Sequence, residues 1–405
     1  MAQEQSANPF RPGNGVLPAY LAGRERPLAE FDAFIADPHP LHGNWTVTGL
    51  RGTGKTVLVE TAAARAEAAG WLTLQREIGE RHRDDSRLAD ALEEDVDALR
   101  RRCSRVGAIE RSVARSARLL LPSRVAIAGV EFEPEPITSR SPADRMRDAL
   151  MRLDEALNTA HRPGALLLYD EAHLLGDDRS RERYPLSSLL AALGAVQRSG
   201  EPRVRIVLTG LPTLSVNLKR ARTYAERMFR HVVLANLERG DAWDALTIPL
   251  ARTQRRFATS VVGEIVEATG GYPYFLQFFG AYVWRAVPAM EVTSGSYRAV
   301  EPALLHELDL AFFEDRFEAA PPTEQRVLEA MAREHGQLRL TTLRPLLESA
   351  VGSPDLVVRR LVERGLIYRA TRGTYDFALP GFRPYIRRRA DLSNVSLDER
   401  VGDAD

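Results

Sequence analysis

The chain contains very little lysine and cysteine. Two of its 55 basic residues are lysines, Lys55 and Lys219, and the others are arginines. The single cysteine, Cys103, excludes an internal disulfide framework and is typical of a reducing compartment. No apolar run approaches the roughly 18 residues of a membrane span, and the polar first residues lack a signal-peptide core. We therefore expect a cytoplasmic protein without membrane contact, and the formal net charge of 0 excludes a polycation.

Lys55 belongs to the most informative motif of the chain. Residues 49–56 fit the phosphate-binding pattern G-x-x-x-x-G-K-[ST], after an apolar run and before a helical pattern. In such a loop, backbone N–H groups curl around phosphates, and a compact ammonium fits where a planar guanidinium is too wide. The hydroxyl of Thr56 would bind Mg²⁺. The predicted site for ATP and Mg²⁺ consists of Gly49, Leu50, Arg51, Gly52, Thr53, Gly54, Lys55, Thr56 and Val57.

A second motif places two carboxylates at the end of an apolar strand. The run Ala165–Tyr169 leads directly into Asp170 and Glu171. A buried parallel strand would deliver Asp170 to the carboxyl edge of the sheet, beside the phosphate loop, where it can hold Mg²⁺. Glu171 would orient and polarise the attacking water. Alone, a strand that ends in Asp-Glu is often just a turn, but the upstream loop favours the catalytic interpretation.

Two further positions have polar residues that could reach the γ-phosphate. Thr209 ends the fourth apolar run, where its hydroxyl would contact the phosphate or the attacking water. Arg227, with Arg230 as the second choice, precedes the fifth run and could act as an arginine finger, in cis or from a neighbouring subunit. Each also has a plain interpretation, because threonines often end strands and arginine is common in this chain.

Five short apolar runs alternate with helical patterns. This alternation predicts an α/β fold, with a five-stranded parallel sheet and helices on both of its faces. The predicted strands are 45–48, 71–76, 165–169, 204–209 and 232–237. The stretch 78–163 between the second and third strands is far longer than one connecting helix, and it is either a solvated elaboration or a surface for a protein partner. It is predicted to contain helices 88–102 and 109–121, a hairpin 125–132, a turn 134–136 and a helix 143–160.

The remainder of the chain divides into a helical part and a mixed part. In the mixed part, three helical patterns and then two short strands around 371–373 are typical of a winged helix-turn-helix. Arg359, Arg360 and Arg364 on its third helix and Arg372 at the wing tip indicate contacts to the phosphates of double-stranded DNA. The alternative is that this domain packs on the core as a switch. The predicted domains are an extended arm (1–19), a nucleotide-binding core (20–240), a helical lid (241–316), the winged helix (317–389) and an acidic, disordered tail (390–405).

Together these motifs resemble those of the AAA+ P-loop ATPases, in the group that spans the Orc1/Cdc6-like initiators and the STAND-type signalling ATPases. The resemblance covers about residues 20–290, including the segment 22–25 before the first strand and the segment 269–276 in the lid. It implies an additional-strand sheet and a finger at the arginine before the fifth strand. No sensor-2 arginine is evident in the lid, which departs from the initiators. The resemblance further implies that Gly23, Arg24 and Glu25 line the adenine pocket and that Gly271 and Pro273 approach the base.

These features predict a molecular switch that binds ATP or ADP with Mg²⁺, hydrolyses ATP slowly and moves its winged helix. The sequence is compatible with two outputs of this switch. One is DNA binding through the winged helix, and the other is a STAND-like sensor that binds a protein partner through residues 78–163 and forms a nucleotide-dependent homo-oligomer. A third interpretation is a nucleotide-binding protein with little turnover. The sequence shows no metal cluster, nuclease signature or serine or cysteine nucleophile arrangement.

Overall fold

The computed structural model describes most of the chain. It covers residues 7–13, 15–117, 140–200, 203–342, 344, 354–371, 373–379 and 381–390, and within 104–117 it describes only the course of the helix. Several expectations fall outside these residues. They are the hairpin 125–132, the turn 134–136, the wing-tip Arg372, most of the predicted tail and the first residues of the arm.

The chain divides into two compact units. One comprises Met1–Glu25, Gly49–Val57 and Leu234–Asp405, and the other comprises Arg26–Thr48 and Leu58–Val233. Each unit has its own apolar core, the first built mainly from residues after Leu237 and the second from the sheet and the helices that cover it.

The second unit is built on a five-stranded sheet with the order β2-β3-β4-β1-β5. Its strands are β1 (Asn44–Gly49), β2 (Leu72–Glu77), β3 (Ala165–Asp170), β4 (Val204–Gly210) and β5 (Phe229–Leu234). The strands are parallel, with Trp45 opposite Val207 and Leu167 opposite Ile206. Every residue of β1 and β4 is buried, because helices cover both faces, and this explains the continuous apolar runs. The predicted fold class is confirmed.

The helices around this sheet are amphipathic. They are α1 (Glu25–Ala36), α2 (Lys55–Ala68), α3 (Asp85–Ala117), α4 (Pro142–Thr159), α5 (Pro185–Arg198), α6 (Thr213–Ala221) and α7 (Ala225–Met228). In α1 an apolar stripe of Leu28, Phe31, Phe34 and Ile35 is buried, with Phe31 and Phe34 packed against Trp45 of β1. Helix α2 ends at Ala68, shortly before Gly70, whose positive φ of 86° is typical of the glycine that follows a helix.

Two sequence-based boundaries in this unit were wrong. Strand β5 begins at Phe229, three residues earlier than predicted, because Phe229 is fully buried although charged residues follow it. Helix α3 is one continuous helix instead of two, since the segment 103–108 has no proline and one glycine inside a helix costs only about 1 kcal/mol.

The first unit contains the lid helices and the C-terminal domain. Its helices are α8 (Arg239–Ala251), α9 (Thr259–Thr269), α10 (Pro273–Ala286), α11 (Ser294–Leu308), α12 (Asp315–Glu318), α13 (Pro322–Arg333) and α14 (Pro354–Glu363), with a π-helical segment at Asp309–Glu314 and helical residues 382–390. Its strands are β6 (Arg256–Phe257), β7 (Glu291–Val292), β8 (Leu338–Arg339), β9 (Ile367–Thr371) and β10 (Thr374–Phe377).

The lid is not entirely helical, which corrects the prediction for 241–316. Strands β6 and β7 pair in parallel through Phe257 and Val292, and two-residue strands are too short to give a sequence pattern. In the C-terminal domain, the predicted hairpin forms as β9 and β10, and β8 pairs with β10 to give a three-stranded sheet. Helices followed by this sheet are consistent with a winged helix. The last helix includes Ala390, which was assigned to the tail.

Candidate functional site

The phosphate-loop motif forms a compact turn between β1 and α2. The ammonium of Lys55 is buried and donates hydrogen bonds to the carbonyls of Gly49, at 3.1 Å, and Leu50, at 2.9 Å. Thr53 also turns toward the Leu50 carbonyl and donates to it from its hydroxyl at 2.9 Å. The lysine is therefore held against the loop that is predicted to wrap the phosphates.

Arg24 braces this loop from the N-terminal side. Its guanidinium donates to the carbonyls of Thr53, at 3.0 Å, Ala235, at 3.1 Å, and Gly23, at 3.1 Å. Only 7% of Arg24 is exposed, and burial lowers the pKa of its guanidinium. Arg24 was predicted to line the adenine pocket. Its guanidinium binds backbone carbonyls and so supports the loop, while its contact with adenine stays a prediction.

Tyr272, which directly precedes helix α10 in the lid, contacts the same loop. Its hydroxyl donates to the carbonyl of Arg51, and the side chain is fully buried. A side chain at Gly52, where φ is +74°, would collide with the Tyr272 hydroxyl. The neighbouring Gly271 has a φ of +70° and accepts a hydrogen bond from the Leu237 N–H at 2.9 Å. Leu237, predicted to end the fifth strand, lies beyond it, because β5 ends at Leu234.

We expect Tyr272→Phe to lower the free energy of unfolding by about 0.5–1.5 kcal/mol, the usual contribution of one hydrogen bond. The matched control is Tyr297→Phe, because Tyr297 is equally buried and donates to Glu301 within the lid. Chemical denaturation should give similar losses for both variants, whereas only Tyr272→Phe should change ATP affinity. Equal ATP affinities of the two variants would contradict a role of Tyr272 at the loop.

The two predicted carboxylates lie at the carboxyl edge of the sheet. Asp170 is the last residue of β3, and its Oδ1 accepts hydrogen bonds from the Thr209 hydroxyl and from the Glu171 N–H, the latter at 2.8 Å. Glu171 has a φ of +53°, and one of its carboxylate oxygens lies 3.0 Å from Nδ1 of His173. The two atoms are close enough for an ion pair, but their geometry is not that of a hydrogen bond. The structure therefore brings Asp170, Glu171 and Thr209 together.

Arg227 lies at the opposite edge of the sheet from Asp170. It precedes β5 by two residues, whereas Asp170 ends β3, and the strands are parallel. A strand of six residues is about 20 Å long. Arg227 therefore cannot act on the same site as Asp170 and Glu171 within one chain. Arg230, the second choice, is engaged by Glu30 at 2.6 Å, while Arg227 has no ion pair among the described residues.

Sequence reasoning missed a buried polar network behind β3. The Tyr169 hydroxyl donates to Asp95 of α3 at 3.2 Å, and Asp95 accepts two hydrogen bonds from Nε of Arg76, at 2.8 and 2.9 Å. Burial and the Asp95 carboxylate raise the pKa of Tyr169. Asp95 lies in a helix rich in acidic residues, so nothing in the sequence distinguished it. The network fixes the strand that carries Asp170.

The predicted DNA-binding arginines of α14 differ in their surroundings. Arg359 pairs with Glu363 on the same helix at 3.0 Å, and Arg364 lies 2.9 Å from the buried carboxylate of Glu324. Arg360 is exposed and has no ion pair within the described ranges. Of the three, Arg360 is thus the one most available to an external phosphate.

The described residues contain neither a membrane-spanning helix nor a cluster of metal-binding side chains. Within the described ranges, every helix is too short or too polar for a membrane span. The same residues contain no group of three or more His, Cys, Asp or Glu side chains that could hold a metal ion. Mg²⁺ does not require such a cage, because it is usually bound through one or two carboxylates and the phosphates of a substrate.

Comparisons with known proteins agree with this fold. The family model described as an AAA ATPase domain matches residues 20–207, and one described as a domain of unknown function matches residues 310–386. A comparison with curated protein sequences gives no match.

Two solved structures are similar to this chain over most of its length. A Walker-type ATPase of Pyrococcus abyssi is 16% identical with a TM-score of 0.56, over 93% of this chain and 98% of that chain. The ORC2 protein of Aeropyrum pernix, in ADPNP–ADP complexes, is 13% identical with a TM-score of 0.53, over 94% and 98%. At these identities the likeness is one of fold. Residues 20–207 match the model of an AAA ATPase domain, in agreement with the motifs in that segment.

Proposed function

We propose that the protein is a Mg²⁺-dependent ATPase that works as a molecular switch, with slow, regulatory turnover. The observation that carries this proposal is the phosphate loop with its buried Lys55, together with Asp170, Glu171 and Thr209 at the carboxyl edge of the sheet. The family match supports nucleotide binding and ATPase activity in general.

Each group has a distinct chemical role in this proposal. The loop N–H groups and Lys55 bind the phosphates, and Thr209 holds the Asp170 carboxylate through its hydroxyl. Glu171 accepts a hydrogen bond from the attacking water and polarises it. The hydroxyl of Thr56 and the carboxylate of Asp170 are hard oxygen ligands that suit Mg²⁺. When bound, that ion neutralises charge on the phosphates.

Arg227 is proposed to complete the site of a second copy of the chain. Its position at the amino edge of the sheet supports action in trans over action in cis, and its exposed guanidinium lacks an acidic partner among the described residues. This assignment implies a nucleotide-dependent homo-oligomer, because Arg227 would then act on the nucleotide of a neighbouring chain.

The test of nucleotide binding uses the two lysines of the chain. We expect Lys55→Arg to weaken ATP binding about 10- to 100-fold, because charge-assisted hydrogen bonds contribute roughly 1.5–3 kcal/mol each. Lys219→Arg is the matched control, since Lys219 is exposed and pairs with Glu226 at 2.7 Å. Calorimetric titration with ATP and Mg²⁺ measures both. Absence of ATP binding by the wild type, or equal affinity of the two variants, would refute the assignment.

Two outputs of the switch remain proposals. In the first, the C-terminal domain binds double-stranded DNA, and the exposed Arg360 favours it. In the second, the protein is a STAND-like regulator that binds a protein partner through the insertion 78–163, and the 33-residue helix α3 favours that alternative by offering a long surface. DNA titration of the wild type and of the double variant Arg359→Glu, Arg360→Glu separates them, because only the first predicts a loss of affinity.

A further inference from the structure

A strongly basic surface lies beyond the end of β3, in the unit that contains the sheet. We define the basic surface as residues 178–184, between β3 and α5, and residues 219–222, at the end of α6. These eleven residues include six basic and two acidic side chains, a net charge of +4 in a chain whose formal net charge is 0. The basic residues are Arg179, Arg181, Arg183, Lys219, Arg220 and Arg222.

The loop 178–184 has a defined shape. Asp178 and Arg183 exchange both backbone hydrogen bonds across an isolated bridge, at 2.8 and 3.0 Å. The Asp178 carboxylate also accepts from the Ser180 N–H at 3.0 Å and lies 3.7 Å from Nε of Arg181. The arginines are thus presented from a closed turn, so less conformational entropy is lost when they bind a ligand.

Hydrogen bonds join the two parts of the basic surface. Asp177 caps α5 by accepting from the N–H groups of Leu186, at 3.1 Å, and Ser187, at 3.2 Å. The Ser187 hydroxyl donates to Asp177 and lies 3.2 Å from the carbonyl of Ala221 at the end of α6. Arg220 and Arg222 flank Ala221, so the end of α6 is held beside the base of the loop.

The charge of this surface is largely uncompensated. Lys219 pairs with Glu226, and Arg181 has Asp178 nearby. Across the part of the chain that the structure describes, no ion pair involves the four other basic side chains, Arg179, Arg183, Arg220 and Arg222. This differs from the arginines of α14, of which Arg359 and Arg364 have carboxylate partners. An uncompensated cluster of arginines attracts a polyanion.

The chemistry of the surface favours nucleic acid over an acidic protein. Its one large apolar side chain is Tyr184, which is 39% exposed at the end of the loop. Protein interfaces usually have a fully buried apolar core, which these residues do not offer, whereas arginines without acidic partners are typical of surfaces that bind phosphates. We propose that the basic surface binds the sugar–phosphate backbone of nucleic acid, at a site separate from the C-terminal domain.

The test compares three arginines of this surface with three others. The surface variant carries Arg179→Ala, Arg183→Ala and Arg220→Ala. The control variant carries Arg252→Ala, Arg256→Ala and Arg298→Ala, which removes the same charge from exposed positions elsewhere. A third variant, with Arg359→Glu and Arg360→Glu, tests the C-terminal domain. Because all the replaced side chains are at least partly exposed, circular dichroism should show unchanged folding.

Binding of a labelled DNA duplex of about 30 base pairs is measured by anisotropy between about 50 and 300 mM salt. Each lost phosphate contact reduces the slope of log K against log salt by about 0.9, so we expect the surface variant to lose about 2–3 units and at least about tenfold in affinity. The control variant should bind like the wild type. Equal losses in both triple variants, or no DNA binding by the wild type, would overturn the proposal. Loss only in the α14 variant would also overturn it, while supporting DNA binding by the C-terminal domain.

Discussion

Replacing Arg227 with alanine is expected to reduce ATP hydrolysis by about 10³- to 10⁵-fold, the range reported for arginine fingers. The expectation depends on the position of this residue at the amino edge of the sheet, one strand length from the carboxylates of its own chain. ATP binding should be unaffected, because the phosphate loop and Lys55 are intact. The control is Arg230→Ala, which should mainly remove the surface ion pair with Glu30.

A mixing experiment distinguishes action in trans from a structural role. Arg227→Ala and Glu171→Gln should each be inactive alone. In a mixed oligomer, the chain with Arg227→Ala retains its Glu171 and receives Arg227 from its neighbour, so phosphate release should reappear. A mixture that stays inactive, although light scattering shows that the wild type assembles with ATP, would refute the finger. A wild type that stays monomeric with ATP would refute the proposed oligomer.

Glu171→Gln is expected to lower the rate of ATP hydrolysis by about 10²- to 10⁴-fold, since the amide is a poor general base for water. The affinity for ATP should stay within a few-fold of the wild type, because Glu171 is proposed to contact water and not the phosphates. Phosphate release and calorimetric titration measure the two properties separately.

Glu182→Gln is a matched control for this substitution. Glu182 also has a φ of +53°, but it lies on the exposed loop 178–184. The control should therefore hydrolyse ATP at the wild-type rate. Wild-type activity of Glu171→Gln would exclude its role with water, and an inactive wild type would favour a nucleotide-binding protein with little turnover.

The features that the sequence predicted well are those encoded in neighbouring residues. The phosphate loop and the run that ends at Asp170 are local patterns, and each forms where it was expected. Helix α3 and the start of β5 were misassigned because local composition there is charged, while burial of residues such as Phe229 depends on distant partners.

Long-range contacts were beyond sequence reasoning. The contact of Tyr272 with Arg51 joins residues 221 positions apart, and that of Tyr169 with Asp95 joins residues 74 positions apart. Neither pair has a motif, because a tyrosine hydroxyl finds its acceptor only after the fold has formed. The position of Arg227 relative to Asp170 likewise depends on strand direction, which requires the whole sheet.

The left-handed backbone of Glu171 has a consequence for the stability of the protein. A non-glycine residue in this conformation costs roughly 1–2 kcal/mol, a cost that glycine would avoid. The chain nevertheless carries a glutamate where β3 ends, and the reversal of φ interrupts the strict alternation of side chains across the strand. On the proposed role of Glu171 toward water, folding stability is given up at this residue so that a carboxylate stands next to Asp170, which is the trade between stability and activity expected of a catalytic carboxylate.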